Sequence, residues 1–204
     1  LWMPSELQHR LQSFGPLLVD EVFEAYPIAG PRRTAFSTDG PLHFVLGGLS
    51  KRCGLPQMKL GWILVGGDAD GADEALRRLE HIADAFLSVS TPVQHALPQL
   101  LEVGASTRRR LSARLYENVG AAAHILSGSA AQPLSVGGGW SLLIRMPASE
   151  TDARWAAGLL AQGVAVWPGR TFDVPGTHLV ASLITPPAVF REGLERLRET
   201  VSSH

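Results

Sequence analysis

The 204-residue sequence predicts an α/β fold in two parts, because short apolar runs and longer amphipathic stretches alternate along the whole chain. Short apolar runs bounded by glycine or proline indicate strands. Stretches in which apolar residues recur about every three or four positions indicate helices. We expect an α/β domain over residues 1–103 and a smaller α+β domain over residues 104–204, which begins with a long helix that links the two.

Three strands are predicted in the first domain, after an opening helix in "SELQHRLQSFG". The first is "PLLVDEV", an apolar run interpreted as a buried strand with Asp20 at its carboxyl end. A loop rich in proline and glycine, "YPIAGPRRTAFSTDGP", leads to the second strand, "LHFVLGG", which places Lys51 at its own carboxyl end. The third strand is "LGWILVGG". Helices are then predicted over residues 71–88, over "STPVQHALPQLLEVG" and over residues 106–127.

The second domain is predicted to mix strands with helices. After a loop of small residues, "SGSAAQPLSVGGG", the strand "WSLLIRMP" precedes a helix in "SETDARWAAGLLAQG". Two further strands, "VAVWPG" and "HLVASLI", lead to a final helix from Pro187 to about Val201.

Composition and charge exclude several classes of function. The net charge of −1 and the lack of a long basic run argue against direct binding to nucleic acid. One cysteine, Cys53, allows neither an intramolecular disulfide nor a cysteine metal site, which favours a reducing, cytoplasmic compartment. Neither His124 nor His178 has a second ligand four residues on, so no metal site is expected. No apolar run has the length that spans a bilayer, and no membrane association is expected.

Two chemically active side chains follow neighbouring strands of the first domain. Asp20 ends the first predicted strand, and Lys51 follows the second. Open α/β sheets bind ligands at the carboxyl ends of their strands, so this pair is a candidate binding site. The alternative is that Asp20 caps a turn and Lys51 is an ordinary surface lysine, and sequence position alone favours that alternative.

Three stretches of the chain together resemble a known family. "LLVDEVF", "GGLSKRCGLPQMKLGW" and "GGGWSLLIRMP", in this order and at these separations, are similar to the pyridoxal-phosphate-dependent aminotransferases of fold type I, class I/II. The resemblance covers essentially the whole chain but only the second half of the family's pattern. It implies the second half of the large cofactor-binding domain, with a mixed and mostly parallel sheet, followed by the small α+β domain. Because the chain starts at Leu1 without the family's earlier segments, we expect a fragment.

The resemblance implies roles for five residues. Lys51 would form the Schiff base with pyridoxal 5'-phosphate and move the proton at the substrate Cα. Asp20 would pair with the nitrogen of the cofactor ring. Ser50 and Lys59 would bind the phosphate, with Lys59 in place of the family's usual arginine. Phe23 stands where the family usually has a tyrosine, so the hydroxyl that binds the cofactor's phenolic oxygen is missing.

The family's arginine for the substrate α-carboxylate has no counterpart in this sequence. Its position aligns with Val180 in "HLVASLI". Arg170 in the loop "WPGRTFD" and Arg145 in the strand "LLIRMP" are candidate replacements, although arginines in such positions more often lie in solvent.

The activity that the resemblance implies is the transfer of an amino group between an amino acid and a 2-oxo acid. It also implies a homodimer, in which the stretch from about Ala85 through "LSVSTPVQHAL" would lie near the partner's site. The chain alone is expected to be inactive, because part of the sheet and of the phosphate site would be missing. Two alternatives stay open: a PLP-dependent lyase, and an aminotransferase-like ligand-sensing domain of a transcription regulator, which keeps the lysine for binding without turnover.

Overall fold

The structure, a computed structural model, describes residues 5–31, 34–87 and 89–203, and within them it contains a three-stranded and a four-stranded sheet. The chain divides into two compact units, Leu1–Arg109 and Arg110–His204, each with one of the sheets. This division lies within one long helix, as does the boundary that the sequence predicts after residue 103. Arg32 and Arg33 of the predicted loop, and Ser88 at the end of a predicted helix, lie outside the described residues.

The first unit contains the three strands that the sequence predicts, with some additional short elements. Its strands are β1 (Leu17–Asp20), β2 (His43–Gly48) and β3 (Gly61–Gly66). Its helices are α1 (Ser5–Gln12), α2 (Leu49–Arg52), α3 (Ala69–Phe86) and the first part of α4 (Thr91–Ile125). The one-turn helix α2 and the 3₁₀ turn Pro56–Met58 were not predicted, because both are too short to show a periodic pattern.

The three-stranded sheet has one parallel and one antiparallel pairing, so it is mixed, as expected, with parallel pairings not in the majority among these strands. Strand β1 runs parallel to β2, with Asp20 opposite Leu46. Strand β3 runs antiparallel to β2, with Gly48 opposite Gly61. The segment between β2 and β3 holds only the one-turn helix α2 and a 3₁₀ turn, and it returns the chain antiparallel to β2.

The two helices predicted between residues 90 and 127 form one continuous helix, α4, with Pro98 inside it. A proline in a helix interior removes one backbone hydrogen bond and usually ends or kinks the helix. Here Leu97, Leu100 and Leu101, on either side of Pro98, pack against a buried cluster of the first unit. That packing offsets the lost hydrogen bond. The predicted break, which lay after Gly104 and not at Pro98, is absent from the structure.

The second unit is an α+β arrangement with an antiparallel sheet of order β4-β5-β7-β6. Its strands are β4 (Gln132–Pro133), β5 (Ser141–Arg145), β6 (Trp167–Pro168) and β7 (His178–Ser182), and its helices are α5 (Asp152–Ala161) and α6 (Pro187–Ser202). Buried side chains of both helices and of β5 and β7 form its core, among them Leu142, Ile144, Trp155, Leu159, Leu179, Leu194 and Leu197. Strand β4 lies in the predicted small-residue loop, and the predicted "VAVWPG" strand shortens to two residues.

Strand β1 is less buried than the sequence predicts. Leu18 is 68% exposed, and its neighbours Leu17 and Val19 are half-buried. Within the described residues β1 pairs only with β2, so its outer edge is open and one of its faces is uncovered. Across the described residues, the structure has no helix that is both long and apolar enough to cross a membrane.

Candidate functional site

The connection from β2 to β3 carries both lysines of the sequence, Lys51 and Lys59. The backbone N–H of Leu49 donates to the carbonyl of Leu60 at 3.0 Å, which closes the connection at its base. A side chain at Gly47 would overlap the indole of Trp62, so glycine is required there. We call this connection, residues 49–60, the 49–60 loop. The two contacts fix the positions of its ends on the sheet.

Both lysines line one cavity of about 330 Å³, together with Ser50. Lys51 lies in α2 and is half-buried, whereas Lys59 is exposed. Lys59 adopts a left-handed backbone conformation, with φ 51°, at the end of the 3₁₀ turn. A non-glycine residue in this conformation is held there by its surroundings. The resemblance assigned all three residues to one cofactor site, and in the structure all three line one cavity.

Three side chains of the 49–60 loop, Leu49, Cys53 and Leu60, form a buried apolar cluster that stabilises the loop. A side chain at Gly104 of α4 would overlap Cys53, so the helix approaches the loop closely at this glycine. Burial raises the pKa of the Cys53 thiol, and the nearby Arg52 and Arg108 oppose this only in part. A neutral buried thiol acts as a packing group.

Asp20 lies at the carboxyl end of β1, beside the strand that leads to Lys51. Its carboxylate is exposed and accepts a hydrogen bond from the backbone N–H of Val22 at 3.0 Å. Val22 lines the lysine cavity, but Asp20 is not among the described residues that line it. The structure thus places Asp20 next to the cavity through the turn that follows β1.

The turn after β1 also brings an aromatic ring to Lys51. The Lys51 Nζ lies 5.7 Å from the centroid of the Phe23 ring, a separation at which an ammonium group is attracted by the ring face. Phe23 itself is 38% exposed. The sequence analysis treated Phe23 only as a missing hydroxyl and did not foresee this contact.

Two further contacts between this turn and α2 were not predicted. The guanidinium of Arg52 forms an ion pair with Glu24, and both side chains are mostly buried. The hydroxyl of Tyr26 donates to the backbone carbonyl of Lys51 at 2.8 Å. Burial raises the pKa of Tyr26 to about 12, with a further contribution from Cys53 that two arginines oppose.

Neither candidate for the substrate-carboxylate arginine lies in the unit that carries Lys51. The Arg170 guanidinium binds the buried carboxylate of Asp152, with Nε to Oδ1 at 2.7 Å, and the Arg170 backbone N–H binds the same carboxylate. Hydrogen bonding from Arg170 lowers the pKa of Asp152. Arg145 is exposed at the end of β5, and Val180 is buried in β7. The structure therefore gives Arg170 a role within its own unit.

Residues 6–197 match the family described as aminotransferase class I and II, and the chain belongs to that family. The resemblance seen in the sequence is confirmed. Enzymes of this family depend in general on pyridoxal phosphate and generally act as dimers. Neither the lyase nor the ligand-sensing alternative is favoured by this match. No curated protein matches the chain by sequence.

Several solved aminotransferase structures share the fold. Tyrosine aminotransferase from Leishmania infantum superposes with a TM-score of 0.83 at 20% identity, covering 98% of this chain and 51% of that chain. A probable N-succinyldiaminopimelate aminotransferase from Thermus thermophilus gives 0.81 at 24% identity, covering 96% and 52%. The α-aminoadipate aminotransferase from another strain of Thermus thermophilus, complexed with N-(5'-phosphopyridoxyl)-L-leucine, gives 0.74 at 19% identity, covering 98% and 55%. The chain thus spans about half the length of the solved structures that it matches.

Proposed function

We propose that this chain is the part of a pyridoxal-phosphate-dependent aminotransferase that carries the cofactor lysine, Lys51. The observation that carries the proposal is that the only two lysines of the sequence, Lys51 and Lys59, line one cavity in a member of this family. All other basic residues of the chain are arginine or histidine. Arginine stays protonated, whereas a lysine amine can lose its proton and act as a nucleophile or base.

The groups that line the cavity fit an aldehyde that carries a phosphate. The amine of Lys51 is the nucleophile that would attach to the aldehyde carbon. The ammonium of Lys59 and the hydroxyl of Ser50 would bind the phosphate, Lys59 as a point charge and Ser50 as a hydrogen-bond donor. A volume of about 330 Å³ lies in the range of small-molecule sites. One of the solved relatives was captured with a phosphopyridoxyl compound, which supports the same class of ligand.

The chemistry of the reaction is divided between the cofactor and the protein. When bound, pyridoxal phosphate supplies a ring that accepts the electron pair left when the substrate Cα–H bond breaks. Once a substrate amine has displaced it from the cofactor carbon, the Lys51 amine would take the proton from the substrate Cα and deliver it to that carbon. The Asp20 carboxylate would keep the ring nitrogen protonated, since an opposite charge stabilises the protonated form. Phe23 would hold the charged Lys51 amine by its ring face.

A single-turnover assay tests this proposal. The natural gene product that contains this chain is loaded with pyridoxal phosphate and mixed with an amino acid, and the conversion of the cofactor's absorbance band is followed. Lys51→Arg should abolish amino transfer, because the guanidinium keeps its proton. Lys59→Arg is the matched control and should preserve transfer with altered cofactor affinity. Transfer that persists in Lys51→Arg would contradict the role of Lys51.

We also propose that the native protein is a homodimer, as family members generally are. Phe86 and Leu87, at the end of α3, are 78% and 83% exposed. They lie in the stretch that the sequence analysis assigned to the subunit interface, and large apolar side chains in such positions are typical of interfaces. Light scattering at micromolar concentration is the measurement. A monomer that binds cofactor with full stoichiometry would contradict the proposal. The expected cytoplasmic location stays a prediction.

We further propose that the 204-residue chain does not transfer an amino group by itself. The support is its coverage of about half of each solved aminotransferase, together with the open edge of β1 and the exposure of Leu18 and Phe14. A longer natural protein would pair that edge and cover those side chains. The single-turnover assay, run on this chain and on the natural gene product in parallel, decides the matter. Equal rates would show that the chain is sufficient.

A further inference from the structure

Tyr26 is a buried tyrosine whose hydroxyl contacts the backbone of the proposed cofactor lysine. Its side chain is 0% exposed, and its hydroxyl donates to the Lys51 carbonyl at 2.8 Å. The other tyrosine of the sequence, Tyr116, is 52% exposed. A buried hydroxyl without an acceptor would cost free energy, so the position of Tyr26 depends on this hydrogen bond.

The hydrogen bond from Tyr26 satisfies a backbone carbonyl near the end of the short helix α2. The last carbonyl groups of a helix have no intrahelical donor, and α2 ends at Arg52, directly after Lys51. Two later backbone N–H groups, of Cys53 and Leu55, both bond to the carbonyl of Leu49. The carbonyl of Lys51 accepts from Tyr26. A side chain from another segment therefore completes the end of the helix.

We propose that Tyr26 is a positioning residue for Lys51, because its hydroxyl fixes the backbone from which the Lys51 side chain projects into the cavity. The inference rests on the proposed function of Lys51. Tyr26 belongs to the same segment as Phe23 and Glu24, which contact the Lys51 ammonium and Arg52. This segment therefore holds α2 at the Lys51 carbonyl, at the Lys51 Nζ and at the Arg52 guanidinium.

The test measures which lysine reacts, which requires no turnover. The natural gene product is incubated with pyridoxal phosphate and reduced with borohydride, and the pyridoxyl label on Lys51 and Lys59 is compared by peptide mapping. Tyr26→Phe should lower the ratio of Lys51 label to Lys59 label about three- to ten-fold, the effect of losing one hydrogen bond. Tyr116→Phe removes the hydroxyl of a tyrosine in the second unit that is 52% exposed, and should leave the ratio unchanged.

Two further variants separate positioning from stability. Val45→Ala, in the buried middle of β2, should lower the stability of the first unit without changing the label ratio. A 4-aminophenylalanine at position 26 keeps a donor and should restore the ratio, whereas 4-fluorophenylalanine fills the same space without donating. This second pair replaces Tyr26→Phe if that variant does not fold.

Each outcome bears on a different claim. An unchanged ratio in Tyr26→Phe, or an equal fall in Val45→Ala, would overturn the positioning role of Tyr26 and leave the role of Lys51 intact. A lack of label on Lys51 in the unmodified protein would instead contradict the proposed function.

Discussion

The two units of the chain bury their apolar side chains to different extents. Among the described residues, the second unit has nineteen buried apolar residues and the first has seven. Exposed large apolar side chains show the reverse, with thirteen in the first unit and five in the second. The second unit thus encloses a core of its own, whereas the unit that carries Lys51 leaves much apolar surface open.

The difference shows what holds the candidate site. In the first unit, the apolar cluster of Leu49, Cys53 and Leu60 stabilises the 49–60 loop from within. Polar contacts of Tyr26 and Glu24 with α2 stabilise it further. Local contacts of this kind keep a loop in place even where the surrounding sheet is uncovered. The first unit should therefore respond to substitutions near the loop, and the second to substitutions anywhere in its core.

The largest expected difference between the units comes from removing a phenylalanine. Phe190→Ala, at a side chain of α6 that is 5% exposed, should lower the free energy of unfolding by about 3–5 kcal/mol. Phe14→Ala, at a side chain that is 89% exposed, should change it by less than about 0.5 kcal/mol. Urea denaturation of the 204-residue chain measures both. Similar losses would mean that Phe14 is covered within this chain, and the comparison of the units would then fail.

The same substitution at two positions of α4 sharpens the comparison. Gly104→Ala would overlap Cys53 and should lower the free energy of unfolding by about 1–3 kcal/mol. Gly120→Ala meets open space and should raise it by up to about 1 kcal/mol, because alanine is the better helix former. Gly104→Ala should also reduce labelling of Lys51. A stabilising effect of both variants would show that the 49–60 loop is not packed against α4 at this glycine.

The contributions of two ion pairs, one in each unit, to the free energy of unfolding should differ by a smaller amount. Glu24→Gln leaves the mostly buried Arg52 without its carboxylate and should cost about 1–2 kcal/mol of unfolding free energy. Glu117→Gln breaks a pair with Arg191 in which both side chains are about half exposed, and should cost less than about 1 kcal/mol. Thermal denaturation of the two variants, compared with the unmodified protein, checks the order. A larger loss at Glu117 would reverse it.

The last prediction concerns acid stability. Arg170 lowers the pKa of Asp152 below its usual value of 3.8, so the folded state binds this proton less readily than the unfolded state. The stability that this pair contributes is complete above the usual pKa and is lost as the pH falls through the lowered pKa of the folded state. Asp152→Asn should flatten the acid side of the unfolding curve. An unchanged acid midpoint in that variant would argue against the ion pair.

The sequence predicted the strands that position the candidate site. It did not predict the contacts that stabilise the site. Apolar runs located β1, β2 and β3, and hence Asp20 and Lys51 after two neighbouring strands. The Tyr26 hydroxyl and the Glu24 carboxylate act on residues far along the chain, and no local pattern encodes such contacts. The predicted break after Gly104 is also absent, because α4 continues there and packs closely against Cys53. Lys59, by contrast, was linked to Lys51 before the fold was known, because both lie in the stretch "GGLSKRCGLPQMKLGW" that resembles the family.

The identity of the cofactor lysine is tested most directly by reductive labelling. The unmodified natural gene product, incubated with pyridoxal phosphate and reduced with borohydride, should carry its pyridoxyl label on the peptide that contains Lys51. Within this sequence there is one other lysine side chain, Lys59, so mass spectrometry separates the two assignments. A label found mainly on Lys59, or on neither lysine, would contradict the account.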